Sequence, residues 1–132
     1  MGSLVGLRME SERIDDSTVV IDLRGELDTF TAPSAKTAIR SLIAEGARHL
    51  VLNLHWLDFI DSTGLSVLIG ALRDAHGNGG SIRLVAPVHH VRRIFEITRL
   101  TYAFPIDISI ESALLEIRRE AFPPDEQMPK AA

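Results

Sequence analysis

Apolar and polar residues alternate along the first quarter of the chain. Val5, Leu7 and Met9 interleave with Arg8 and Glu10, predicting a strand over about 4–11. Asp15-Asp16-Ser17 reads as a turn, and Val19, Ile21 and Leu23 against Asp22 and Arg24 predict a second strand closing at Gly25. The pair makes a hairpin. The period then lengthens. Thr31-Ala32-Pro33 opens a first helix with Pro33 at its first position, and Ala35, Ala38, Ile39, Leu42 and Ile43 line one face up to a stop at Gly46. Leu50 to Leu54 is a compact apolar run of strand length, suited to burial on both faces. Leu65, Leu68, Ile69 and Leu72 mark a second helix, ended by Gly77-Asn78-Gly79-Gly80. Ile82, Leu84 and Ala86 form the next strand, and Pro87 starts a third helix through Val88, Val91, Ile94 and Phe95. A short strand over 103–106 and a last helix from about Ser109, with Ile110, Ala113, Leu114 and Ile117 on one face, complete the pattern.

The order ββαβαβαβα predicts an α/β fold: a mixed, mostly parallel sheet with four helices, the opening hairpin adding an antiparallel edge. One domain is expected over residues 1–121. The polar, proline-rich segment 122–132 is expected to be a disordered tail.

Composition narrows the function. The 132 residues contain no cysteine, which excludes disulfides, thiolate zinc sites and thiol catalysis. The net charge is −4 with no basic stripe beyond Arg92-Arg93, so no direct nucleic-acid partner is expected. The apolar runs fall short of the roughly 18 residues of a membrane span, and the N-terminus resembles neither a secretory signal nor a myristoylation site. The expectation is a cytoplasmic acidic domain without membrane insertion.

Candidate chemistry concentrates in FIDSTGLSVL, residues 59–68, where a strand hands over to a helix. Asp61, or Ser62 itself, can cap the first free N–H groups of that helix. Loops at the C-terminal ends of parallel strands are where α/β folds place their sites. A phosphate on Ser62 would meet the positive end of the helix dipole. In GELDTFTAP, Asp28 occupies another strand-to-helix loop, and adjacent strands would bring its carboxylate to the rim that carries Ser62. Enzyme patterns are missing: no Gly-x-Ser-x-Gly elbow, no nucleotide-binding glycine loop and no His-x-x-x-His pair. Asp58 and Asp61, three apart in a predicted loop, offer carboxylates for Mg²⁺ or simply for water. No cofactor and no metal site are expected.

GELDTFTAP, LVLNLHWLDFIDSTGLSVLIGAL and GGSIRLVAPVHHVRRIFEITRL together resemble the STAS-domain anti-sigma factor antagonists of bacteria, over about Thr18 to Ala113. The resemblance implies a regulatory protein, not an enzyme. It would bind a GHKL-type serine kinase that doubles as an anti-sigma factor, releasing a sigma factor for transcription. Phosphorylation at Ser62, with Thr63 a secondary candidate, would end binding, and a serine phosphatase would restore it. Asp28 matches the family's acidic residue beside the site, Asp61 the flanking acid, and Gly64 the glycine that permits close approach at the helix start. Trp56 and Phe59 add apolar bulk before the motif, and Trp56 is either an interface anchor or packed against the sheet. Arg99 stands where the family usually turns with glycine, implying either a different turn geometry or a charge presented to the partner. The alternative is a STAS interaction module of a transport or signalling scaffold without a phosphoswitch.

Overall fold

The computed structural model describes residues 3, 4 and 6–121; the expected tail 122–132 lies outside the described residues. The elements are β1 (Ser3–Leu4), β2 (Leu7–Arg13), β3 (Thr18–Leu27), α1 (Ala32–Ala44), β4 (His49–Ile60), α2 (Ser62–Gly77), β5 (Ser81–Val85), α3 (His89–Ile97), a 3₁₀ turn (Leu100–Tyr102), β6 (Ile106–Asp107) and α4 (Ile110–Ala121). One six-stranded sheet has its strands in chain order. β1, β2 and β3 pair antiparallel, whereas β3 to β6 run parallel. The expected mixed sheet and four helices are thus present, with β1 as an additional edge.

Handedness explains the layering. Crossovers between parallel neighbours are right-handed as a rule, which sends α1, α2 and α3 to one face of a sheet whose strands lie in chain order. There Ile39, Leu68 and Phe95 pack on Ile21, Leu23, Leu52 and Leu84. α4 follows the last strand and covers the opposite face, where Ala113 and Ile117 meet Val20, Val51 and Val85. Beside that smaller core, Arg83 reaches Asp107 at 2.7 Å and Glu120 at 3.1 Å. Burial pulls the Arg83 pKa down, but the hydrogen bond and charge of Asp107, helped by Glu120, hold it above the usual arginine value.

The largest departure from expectation is β4, which continues to Ile60 instead of ending at Leu54. Its inward residues are Leu50, Leu52, Leu54, Leu57 and Ile60, so the spacing changes from two to three after Leu54. Register shifts against β3, between Asp22 and Arg24 and between Gly25 and Glu26, account for this. Each gives β4 an extra residue, and such bulges bend a strand and re-aim its side chains. Asp58 therefore lies in a strand, not in the predicted loop.

Smaller shifts occur elsewhere. In α1 the cap is Thr31, so Ala32 precedes Pro33 inside the helix. Ala86 leaves β5 with φ +50°, and α3 begins at His89 with Val88 as its cap. Residues 100–102 form a 3₁₀ turn, leaving β6 only two residues. Arg99 takes φ +61° itself, so the left-handed turn that suits glycine is kept despite the larger side chain.

Gly70, in the interior of α2, has no such conformational reason: a Cβ built there meets nothing within 4 Å. Gly70→Ala should therefore raise stability by up to about 1 kcal/mol, read as a higher urea midpoint at unchanged slope. An unchanged or lower midpoint would contradict this account of the position.

Candidate functional site

The C-terminal ends of β3 and β4 are neighbours, with Leu27 opposite Ile60. Their loops are joined at the backbone, where the Asp61 N–H donates to the Leu27 carbonyl at 3.2 Å. Asp61 then caps α2, one carboxylate oxygen accepting from the Gly64 N–H at 2.9 Å. The other accepts from the Thr29 N–H at 3.1 Å and from its hydroxyl at 3.3 Å. The Thr29 and Thr63 hydroxyls lie 3.3 Å apart. Asp61 is thus a bracket between the two loops as well as a cap.

These donors hold the Asp61 carboxyl below the usual aspartate pKa. The Gly64 N–H contributes most; desolvation opposes it, and the Thr29 N–H and hydroxyl together with the Thr63 N–H keep the balance downward. With the folded pKa lowered, the bracket's stabilisation is complete above the unfolded value of about 3.9 and is lost as pH falls through the folded value. Asp61→Ala should accelerate hydrogen exchange at the Gly64 and Thr29 amides at neutral pH. Acidification should erase the difference between variant and wild type. Equal exchange in both at neutral pH would remove Asp61 from this role.

Ser62 is the first residue of α2 and is exposed. Its carbonyl accepts from Ser66, but among the described residues its hydroxyl makes no hydrogen bond. Of the two capping candidates, Asp61 holds the post and Ser62 does not. Thr63 is exposed with its hydroxyl beside Thr29, whereas Gly64 is buried. A Cβ on Gly64 would sit 2.5 Å from the Leu27 carbonyl oxygen, so this glycine serves the approach of α2 to β3 and offers no outward surface.

Asp28 shares the rim but turns its carboxylate into its own loop, accepting from the Phe30 N–H at 2.9 Å and the Thr31 N–H at 3.1 Å. The Thr31 hydroxyl donates to the Glu26 carbonyl at 2.8 Å and completes the turn. The group that reaches from this loop toward α2 is Thr29. Phe30, 90% exposed, projects from the same turn. Neither residue stands out by periodicity or motif, although an aspartate two and three residues before unpaired amides is the signal of such a turn.

Trp56 is 52% exposed, with the Arg24 guanidinium 5.6 Å above its ring and His55 edge-on at 4.6 Å. Arg24 alternates with the inward Leu23, so the pair stands on the face turned away from α1 to α3, apart from the helical side of the rim. The Asp58 backbone carbonyl is met by His90 Nε2 from α3. Asp61 is committed to Gly64 and Thr29, so Asp58 and Asp61 do not form a carboxylate pair. Among the described residues no three His, Asp or Glu side chains gather around a common point. No described helix is long and apolar enough to cross a membrane.

This architecture has known counterparts. The STAS domain family model matches residues 9–113. The chain belongs to the STAS domain family. Among curated relatives it is similar to the anti-sigma-B factor antagonist of Staphylococcus aureus, 29% identical over 85 residues that cover 64% of this chain and 79% of that protein. An anti-sigma factor antagonist from Mycobacterium paratuberculosis superposes with TM-score 0.78 at 27% identity, over 89% of this STAS domain chain and 99% of the other. The Bacillus cell fate determinant SpoIIAA in its phosphorylated form gives TM-score 0.68 at 26% identity, over 83% and 99% of the two chains. SpoIIAA in its unphosphorylated form gives the same TM-score, 0.68. The resemblance of the motifs to STAS-domain anti-sigma factor antagonists therefore extends to the whole fold.

Proposed function

We propose that this STAS domain binds an anti-sigma factor that is also a GHKL-type serine kinase, and that the rim around Ser62 is the docking surface. Docking sequesters the anti-sigma factor and frees a sigma factor for transcription in the cytoplasm. The kinase transfers the terminal phosphoryl of ATP to Ser62 Oγ with release of ADP, and binding ends. A serine phosphatase hydrolyses the phosphoserine and resets the switch. The protein is a substrate and regulator in this scheme, not an enzyme.

The observation that carries the reading is the unengaged Ser62 hydroxyl at the first position of α2, beside a cap supplied entirely by Asp61. Phosphate can be added there without dismantling the helix start, and it gains from the free N–H groups and dipole of α2. The addition of about −1.5 to −2 charges beside Asp61 opposes a partner that must desolvate the rim. Thr63 is the poorer acceptor because its hydroxyl already lies against Thr29. Asp28 acts by shaping the turn that presents Thr29 and Phe30, and Phe30 offers an exposed ring of the kind that anchors interfaces.

The test uses the wild-type chain as bait in native lysate, followed by addition of ATP and tandem mass spectrometry. Capture of a GHKL-fold kinase with phosphate placed on Ser62 is expected. Recovery of transport or scaffold proteins alone, with Ser62 unmodified, would replace the phosphoswitch with a scaffold role.

A further inference from the structure

A second feature begins at Thr63 and runs away from the Ser62 rim along α1 and α2. Between α1 and α2 runs an open groove of about 530 Å³, extending from Thr63 to Asp74. Eleven helical steps make it about 16 Å long. Its floor is apolar, built from Ile39, Val67 and Ala71. Its rim is cationic, with Lys36 and Arg40 on α1 and Arg73 on α2, in a chain whose net charge is −4.

The register of the two helices shows an unmatched charge. α1 and α2 each follow a parallel strand and so run in the same direction. Arg40 pairs with Asp74 across the groove at 3.7 Å. One turn earlier on both helices, four residues back, Lys36 corresponds to Gly70. A carboxylate stands opposite the first cation, and a residue with no side chain and open space beyond it stands opposite the second. Among the described residues neither Lys36 nor Arg73 makes an ion pair or side-chain hydrogen bond. Thr63 and Ser66 add hydroxyls along the same wall.

We propose that this groove binds a free medium-chain carboxylate, whose head occupies the space over Gly70 against Lys36 and whose alkyl tail covers Ile39, Val67 and Ala71. The volume lies within the range of small-molecule sites, and a mostly apolar lining with a few placed polar groups is their usual chemistry. The missing acid at position 70 favours a ligand that carries its own acid. The apolar floor favours one with a chain attached to it.

The experiment is an amide chemical-shift titration of the full chain with sodium octanoate, with acetate and 1-octanol as head-only and tail-only controls. Saturable shifts at Lys36, Ser66, Gly70 and Arg73 are expected with octanoate, with affinity at least about tenfold weaker for either control, the loss that follows from about 1.4 kcal/mol. Gly70→Glu should place an internal carboxylate opposite Lys36 and weaken octanoate at least tenfold. Lys36→Met should do the same by removing the cation, and thermal melts of both variants confirm folding. The proposal is overturned if octanoate does not saturate, if its shifts map outside the groove, or if both folded variants bind as wild type does. Acetate or 1-octanol binding as tightly as octanoate would also overturn it. So would capture of the chain by phosphatidylglycerol vesicles without octanoate binding, which would make this face a membrane contact. None of these readings involves Ser62 or the kinase.

Discussion

Ser62→Glu should keep the melting temperature and near-ultraviolet circular dichroism of the wild type while losing at least about 100-fold in affinity for the proposed kinase partner, equivalent to about 2.7 kcal/mol. The first half follows from the helix start: Asp61, not Ser62, supplies the cap, and Ser62 is exposed. A carboxylate in the first turn of a helix also interacts favourably with its dipole. The second half follows from charge. A new anion beside Asp61 must be desolvated on docking, and mismatched charges in interfaces cost several kcal/mol. Ser62→Ala provides the contrast: it should fold and bind as wild type does but resist release by ATP. Loss of near-ultraviolet signal in Ser62→Glu would show that unfolding, not repulsion, ends binding. Unchanged affinity would remove Ser62 from the interface.

Gly64→Ala should lower stability by about 3 kcal/mol, at the upper end for inserting one methyl group into a packed site. The new Cβ would lie 2.5 Å from the Leu27 carbonyl oxygen and 2.9 Å from both Ile60 Cγ1 and Leu27 Cγ. The backbone oxygen cannot rotate away, because it accepts the Asp61 N–H that ties the two rim loops together. α2 must therefore lift from β3, loosening the bond from the Gly64 N–H to Asp61. A urea titration of this variant beside Gly70→Ala checks the claim within one helix, since the same substitution should destabilise at one position and stabilise at the other. Equal midpoints would show that α2 accommodates the methyl without strain.

The sequence pattern conveyed the sheet-and-helix order because most elements bury one regular face. It faltered where regularity did. The inward series Leu50, Leu52, Leu54 breaks into Leu57 and Ile60, and two bulges in β4 are the reason, so half of the strand looked like a loop. With the strand continued, Asp58 leaves the expected loop, and Trp56 stands under Arg24 on the other face. Ser62 and Asp61 were legible because a short polar run between a strand and an apolar helical stripe has few other uses. Which of them capped was not, since both side chains can accept a hydrogen bond from a helix N–H. Asp28 shares the rim, but its orientation depends on amides of its own turn, and the reach across to Asp61 belongs to Thr29. The glycine in mid-α2 drew no attention from periodicity, because an absent side chain leaves an apolar stripe intact.

Strand order has one more consequence. Ligand crevices in open α/β sheets form where the strand order reverses, because adjacent crossovers there depart to opposite faces and pull their loops apart. This sheet never reverses: its six strands lie in chain order, and α1 to α3 share one face. The loops after β3 and β4 stay together, sealed by Asp61 and Thr29. A fold wound in this way has no topological switch point between these loops. In the proposed switch the phosphoryl donor for Ser62 therefore arrives in the active site of the kinase, and this chain contributes the surface on which that kinase lands.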